Sequence, residues 1–426
     1  MLCKRCGYQN TIEARYCIHC GKKLQSGKKP AKKQLLMCTA FILLIGLFAG
    51  LWFFGYFRNG DRPVFHNTEV VQVVPMEDGS VAVLYADGAV KVAGNPEFAE
   101  TVSDWEQISQ LHYNQTSVLN GHGPILAGLT KEGTVVATAR DFSEWRGVKV
   151  LILDYWGIVA ITEDGSVLTC GDEEFLSDLN GLSNVKNLVY SSVQDAWGCL
   201  TKDGSVRLIS AYTDANKIYW DNVRELRSSG HSFYVIKQDG TVEGGLEDTY
   251  PGLLGAEKIV DYQDWILGIS ADGRLLTHDG GNIFTNFGTM MVGRLEPEYY
   301  SGEVDISRFD QVRDVEVFLG LILLNEDGTV EAIGEYPSWD LRDWHNIKMV
   351  CGDHNETKLY GIREDGSVIV SQYHWGSDTQ TIVDQYCGWK LQNIYSGFDG
   401  MVGLTVDGKL VGDGIYENTD FSLINN

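Results

Sequence analysis

Apolar and polar positions follow one phrase nine times between Tyr85 and Leu410. A few apolar residues lead to an acid, a glycine follows, and a short β-rich run closes the phrase, as in LTKEGTVVA, ITEDGSVLT and LNEDGTVEA. Alternation with period two marks strands buried on one face, and an acid-glycine pair between such runs marks a hairpin. The pattern predicts type I′ turns, with positive φ at both the acid and the glycine. The glycines run from Gly88 through Gly133, Gly165, Gly204, Gly240, Gly273, Gly328 and Gly366 to Gly408, spanning 320 residues in eight intervals, a mean of 40. A period of roughly 40 built from strands predicts an all-β chain folded as a single β-propeller of small antiparallel sheets. Each such sheet hides its faces only against its neighbours.

A second pattern keeps time with the first. An aromatic or apolar residue, two spacers and Val or Ile recur from Trp105, Trp145, Leu182, Trp220, Phe309, Trp344 and Leu391, with a weaker match from Ala256. After the first copy this landmark precedes its turn glycine by 17 to 22 residues. The other half of the unit usually has 12 to 17 residues, and swells to 36 before Phe309 and 25 before Leu391. Insertions on a rigid scaffold are where binding function concentrates. Leu200 to Val206 with Trp220, Asn222 and Val223, and Leu324 to Gly334 with Trp344, Asn346 and Ile347, carry both landmarks in full. On these residues the region resembles the propeller repeat of the regulator of chromosome condensation family, and more closely its bacterial relatives, over about 350 residues. The resemblance implies the fold and transfers no activity onto individual residues. Two departures stand out. The family's Gly-x-x-His element is reduced to Gly230-His231 and Gly352-Asp353-His354, and nine turns stand where the usual propeller has seven blades, so seven to nine blades are expected.

The first 24 residues are a different object. Cys3, Cys6, Cys17 and Cys20 form two Cys-x-x-Cys-Gly knuckles, the donor set of a closed tetrahedral site for structural Zn²⁺. They resemble the short zinc ribbons that open many bacterial membrane proteins. A segment this short cannot fold on apolar burial, so the metal would supply its folding free energy. A basic linker, 25–34, follows. Residues 35–57 then carry no charge, long enough for a helix to span the membrane. Lysines precede the span, and Trp52, Phe53, Phe54, Tyr56 and Phe57 close it, which predicts a cytoplasmic ribbon and an extracytoplasmic propeller over 64–426. Residues 1–34 carry +8 and the remainder −32, within a total of −24. So acidic a domain repels nucleic acid and suits basic partners or cations. Cys170, Cys199, Cys351 and Cys387 read as buried free thiols, with a bridge between Cys170 and Cys199 as the alternative.

No nucleophile elbow, phosphate loop or His-Glu-x-x-His motif is present. The turn acids are accounted for by the hairpins. A ligand site is better sought in the turns that open each hairpin, where Asp154, Trp156, Asp195, Trp197, Asp264 and Trp265 pair carboxylates with indoles. By the repeat these turns ring one face, where an aromatic plane beside a carboxylate suits a sugar ring or a basic protein surface. The same tryptophans could instead wedge between blades as packing. The apolar insertion around Phe284, Met290 and Tyr300 is either a partner contact or a lid. Two function classes follow: a membrane-anchored, non-enzymatic module for an extracellular protein or carbohydrate, with a cytosolic protein at the ribbon, or an extracytoplasmic hydrolase with channel carboxylates. A single-span sensor is a third reading.

Overall fold

The computed structural model describes residues 69–425, apart from 116–123, 155, 192–194, 211–216, 229–232, 245–247, 263–264, 278–282, 286–301, 319, 334–338, 356, 373–379 and 383–385. The ribbon cysteines, the basic linker and the 35–57 span lie outside the described residues. Met1–His66 and Asn67–Asn426 are separate units, and the fold below is that of the second. Among the described residues no helix is long and apolar enough to cross a membrane.

Nine antiparallel sheets of three or four strands follow one another along the described chain. Blade 1 is Val70–Pro75, Val81–Tyr85 and Val90–Ala93; blade 2 is Ile108–Asn114, Ile125–Thr130 and Val135–Ala137; blade 3 is Val148–Asp154, Gly157–Thr162 and Val167–Gly171. Blade 4 is Val185–Ser191, Ala196–Thr201 and Val206–Ile209, and blade 5 is Val223–Ser228, Phe233–Lys237, Val242–Gly244 and Asp248–Thr249. Blade 6 is Ala256–Tyr262, Trp265–Ser270 and Leu275–Thr277, and blade 7 is Val312–Val317, Leu321–Asn325 and Val330–Ile333. Blade 8 is Ile347–Gly352, Lys358–Arg363, Val368–Gln372 and Gln380–Ile382; blade 9 is Leu391–Gly397, Gly400–Thr405 and Leu410–Gly412. Within the enlarged insertion, Ile283–Thr285 pairs with Gly302–Val304.

Middle strands are buried on both faces, as in Ile125–Thr130, where five successive residues are buried. A sheet covered on both sides demands this near-continuous apolar run. Nine apolar clusters fill the nine junctions between neighbouring blades. One of them joins Val402, Leu404 and Tyr416 of blade 9 and its following turn to Val73, Val81 and Tyr85 of blade 1, so the last blade packs on the first. The arrangement is a β-propeller.

The acid-glycine turns differ from the expected type I′. Only the glycine has positive φ; Gly165 is at 89° and no turn acid is left-handed. The Gly165 N–H donates to the Thr162 carbonyl and the Thr162 N–H to the Ser166 carbonyl, the pattern of a type I turn closed by a left-handed glycine. The acid is held right-handed because its carboxylate caps the turn. Asp164 Oδ1 accepts from the Ser166 N–H at 3.0 Å and from the Thr162 hydroxyl at 2.5 Å. Asp203 repeats both bonds, and Asp327 and Asp365 accept the N–H and hydroxyl of Thr329 and Ser367, so the turn acids have a structural task.

The Trp-x-Asn-Val landmark makes the hinge between blades. Asn184, Asn222 and Asn346 sit at φ 61°, 56° and 56°, and Gly147 at 64°. That bend lets the next residue donate back to the preceding turn glycine, as the Ile347 N–H does to the Gly328 carbonyl at 2.9 Å. The Asn346 carbonyl in turn accepts from Glu364 at 2.8 Å. Asparagine is among the few residues with a side chain that tolerate this region. Two landmarks belong three and two residues earlier than the sequence pattern placed them. Blade 6 uses Leu253, Gly255 (φ 87°) and Ala256, and blade 9 uses Trp389, Lys390 and Leu391. The false matches arose because a bulge after the first inner-strand residue buries the first and fourth positions, as at Leu391 and Ile394, imitating the landmark's spacing.

Among the other expectations, Cys170 is half-buried, Cys199 and Cys351 are buried and Cys387 is exposed, all as free thiols. Cys387 is therefore a correction to the buried reading.

Candidate functional site

The inner and middle strands of each blade are joined by a turn at the end of the ring away from the acid-glycine hairpins. This follows from strand alternation, since successive turns of a meander lie at opposite edges. Among the described residues of these turns the charged side chains are acids: Glu77 and Asp78 in blade 1, Asp154 in blade 3, Asp195 in blade 4, Asp353 in blade 8 and Asp399 in blade 9. The acid-glycine turns, by contrast, mix signs, with Lys131, Lys202, Arg274 and Lys409 among them.

The predicted site residues divide. Asp154 ends the inner strand of blade 3, opposite Gly157. Trp156 is half-buried in the turn, its ring stacked on Phe175 with centroids 3.4 Å apart. Asp195 is exposed in the blade 4 turn at φ 47° and accepts from the Tyr190 hydroxyl at 2.7 Å. Trp197 is only 3% exposed and packs among Val159, Leu188, Cys199 and Ile209. It is a wedge between blades 3 and 4 and is withdrawn as a ligand contact. The reason is register: Ala196 and Trp197 lie on a middle strand, which is covered on both faces. Trp265 opens the middle strand of blade 6 opposite Tyr262, and Asp264 lies outside the described residues.

What remains is a cluster across blades 3 and 4, centred on a residue the sequence pattern did not single out. The Tyr190 phenol donates to Asp195, takes a hydrogen bond from Trp156 and feels the charge of Asp154. Burial, then the Asp195 bond, push its pKa up to about 12, so it stays a neutral donor. The signal that could have found it is its place, at the end of an inner strand beside the previous blade's Asp-Tyr-Trp turn.

A second polar cluster lies at blades 8 and 9. Asp413, 2% exposed, accepts on one oxygen from the Lys358 ammonium at 2.7 Å, the Tyr360 hydroxyl at 2.7 Å and the Tyr386 hydroxyl at 2.8 Å. Burial raises its pKa, but these donors together outweigh that and hold it below the usual carboxylate value. Asp353 stays raised by burial despite the bonds from Thr357. Lys358 is thus neutralised within the fold and adds little positive charge to the face. Among the described residues no group of three or more His, Cys, Asp or Glu is arranged to hold a metal.

No family model matches the chain, and no curated protein matches its sequence. Similar solved structures include the β-propeller domain of Cps50 (Swd1) from Myceliophteria thermophila, at 10% identity and a TM-score of 0.29 over 80% of this chain and 94% of that one. A complex of Kap60 with yeast RCC1 (Prp20) matches at 11% and 0.29, over 63% and 70%. A eukaryotic initiation factor matches at 11% and 0.37, over 83% and 87%. At these distances the propeller assignment rests on the nine sheets and their packed junctions.

Proposed function

We propose that residues 64–426 are a non-enzymatic recognition module that takes a basic segment of a protein on the acidic turn face. The observation that carries this reading is that the charged side chains of the described inner-to-middle turns are acids, with the Asp154, Trp156, Tyr190 and Asp195 cluster supplying carboxylates, an indole and a phenol side by side. A lysine or arginine side chain can pair with the carboxylates while its stem lies along the rings. A glycan is the second class of ligand that an indole beside carboxylates suits. The module is displayed outside the cell membrane by the 35–57 span, with the N-terminal ribbon in the cytoplasm. Cys3, Cys6, Cys17 and Cys20 would hold one structural Zn²⁺ there, and the ribbon would dock a cytosolic protein.

The test is a peptide array of lysine- and arginine-rich sequences, with a glycan array alongside, probed with residues 64–426. Binding that weakens at high salt and in Asp154→Asn/Asp195→Asn supports the reading, because exposed charge pairs are screened. Equal binding by that variant sinks it. A cysteine introduced at Gln25 should resist a membrane-impermeant thiol reagent on intact cells.

A further inference from the structure

A cleft of about 350 Å³ lies against blade 2, lined by Trp105, Val135, Ala137, Arg140, Ser143 and Arg146 among others. Its floor is the outer strand Val135–Ala137, the open edge of a three-stranded sheet. Thr134 and Thr138 turn their backbone groups to the middle strand, the Thr134 carbonyl accepting from Thr130 and the Thr138 N–H donating to Leu126. By the alternation of a β-ladder, the N–H and C=O groups of Val135 and Ala137 point the other way, toward the cleft.

Blades 4, 5, 6 and 9 satisfy some or all of the matching groups. In blade 4 the Val206 N–H donates to Trp220 at 2.8 Å and its carbonyl accepts from Tyr219 at 2.9 Å. In blade 5 the Val242 carbonyl accepts from Tyr250, and in blade 6 the Leu275 N–H donates to Phe309. In blade 9 the Asn425 amide bonds both groups of Leu410. Blades 5 and 8 go further and add a fourth strand. In blade 2 the outward groups of Val135 and Ala137 have no bond to any described residue, as is also true of Val90 in blade 1, Val167 in blade 3 and Val330 in blade 7; blade 2 differs in the cleft that borders its edge. Beside them stand two guanidiniums with no carboxylate partner among the described residues, while Asp141 in the same lining accepts from the Ser143 N–H and hydroxyl. Arg140 donates to the Cys170 thiol at 3.0 Å and Arg146 to the neighbouring Trp145 carbonyl at 2.9 Å.

We infer that this cleft receives an extended, acidic segment of a partner protein as the missing fourth strand of blade 2. The segment's backbone pairs with Val135 and Ala137, and its carboxylates meet Arg140 and Arg146. Strand addition supplies main-chain hydrogen bonds for affinity and side-chain contacts for selectivity, and guanidiniums match carboxylates in bidentate geometry. The cleft falls in the usual size range of ligand sites, roughly 300–1,000 Å³. This inference stands independently of the acidic turn face, since it concerns the ring's outer edge and the opposite charge.

The probe is a blocked, fluorescent peptide, Thr-Val-Glu-Val-Glu-Val-Thr, titrated by anisotropy against the full chain in detergent. The expected result is binding that falls at least about tenfold when both glutamates become lysine, and as far again when the peptide amides facing the strand are N-methylated. Arg140→Glu/Arg146→Glu should reverse the preference between the two peptides, with an unchanged circular dichroism spectrum. Ala137→Pro, which removes an outward N–H, should weaken the glutamate peptide alone. Affinity indifferent to peptide charge or to N-methylation overturns the inference, as does absence of binding. Binding to a chain beginning at Asn67 but not to the full chain also overturns it, because the protein's own leading segment then fills the cleft.

Discussion

The hydroxyl of Tyr416 donates to the carbonyl of Met76 at 2.8 Å, across 340 residues of chain. The same oxygen accepts from the Phe398 N–H at 3.3 Å, and a Cβ on Gly397 would meet the ring at 2.3 Å. One side chain thus ties the turn after blade 9 to blade 1, helped by Thr419, whose hydroxyl reaches the Gly79 carbonyl at 2.7 Å.

Tyr416→Phe should therefore lower stability by about 1–3 kcal/mol, the cost of leaving buried partners unsatisfied. Tyr416→Ala adds the cavity and should cost about 3–5 kcal/mol. Urea titration followed by intrinsic fluorescence measures both, and a neutral Phe variant would show that the closing bond contributes nothing.

Trp197→Ala should cost about 3–5 kcal/mol, as for any large aromatic removed from a packed junction. Trp197→Phe should cost less, since it keeps most of the volume and removes an indole N–H that has no partner among the described residues. Thermal melts of the two variants decide the matter. A small loss in Trp197→Ala would return the residue to the candidate surface.

The left-handed hinge predicts a sign difference at one position. Asn346→Gly should leave stability within a few tenths of a kcal/mol, whereas Asn346→Val should cost about 1–3 kcal/mol, because a β-branched residue pays in this region. Equal melting temperatures for the two variants would contradict the hinge.

Acid should loosen the hairpins. Asp164 is held down to about 2 by the Thr162 hydroxyl, then the Ser166 N–H, and Asp203, Asp239, Asp272, Asp327 and Asp407 are lowered by bonds of the same kind. A native value below the unfolded one, about 3.9, makes the stabilisation whole above pH 4 and lost as pH falls toward 2. Glu316 has the opposite sign. Burial raises its pKa, so its contribution grows as pH falls through that raised value. The melting temperature should drop on balance between about pH 4 and 2, and Asp164→Asn should make the slope shallower. A flat profile would refute the capping role.

Residues 1–24, made as a peptide, should take up one Zn²⁺ per chain and lose structure on chelation, since metal binding and folding are one event at this size. Cys17→Ser should abolish tight uptake. Binding that survives it would remove Cys17 from the ligand set.

Much of the ring was legible in the chain. Each acid-glycine turn is a local event: the glycine must be left-handed, the acid caps the two residues on either side of it, and both demands are met within five residues, as at Thr162–Ser166. The landmark is local too, since Asn346 is chosen for its own φ. The site was legible only in part. Asp154, Trp156 and Asp195 lie at the inner-to-middle turns, as the repeat placed them, but Trp197 was misjudged as a surface residue, since one residue along a strand moves a side chain from a turn into a covered sheet. Tyr190 was missed because what makes it central is the blade beside it.

Local backbone chemistry, repeated at a mean spacing of 40 residues, determined the hairpins, the hinges and the propeller class. Tertiary structure decided what depends on distant chain meeting: the count of nine blades, the closure of blade 9 on blade 1, and the burial of Trp197 between blades. It also decided where an edge stays open, as at Val135 and Ala137. Those features are set by burial and by hydrogen-bond partners tens to hundreds of residues away, and no repeat unit encodes its neighbour's geometry.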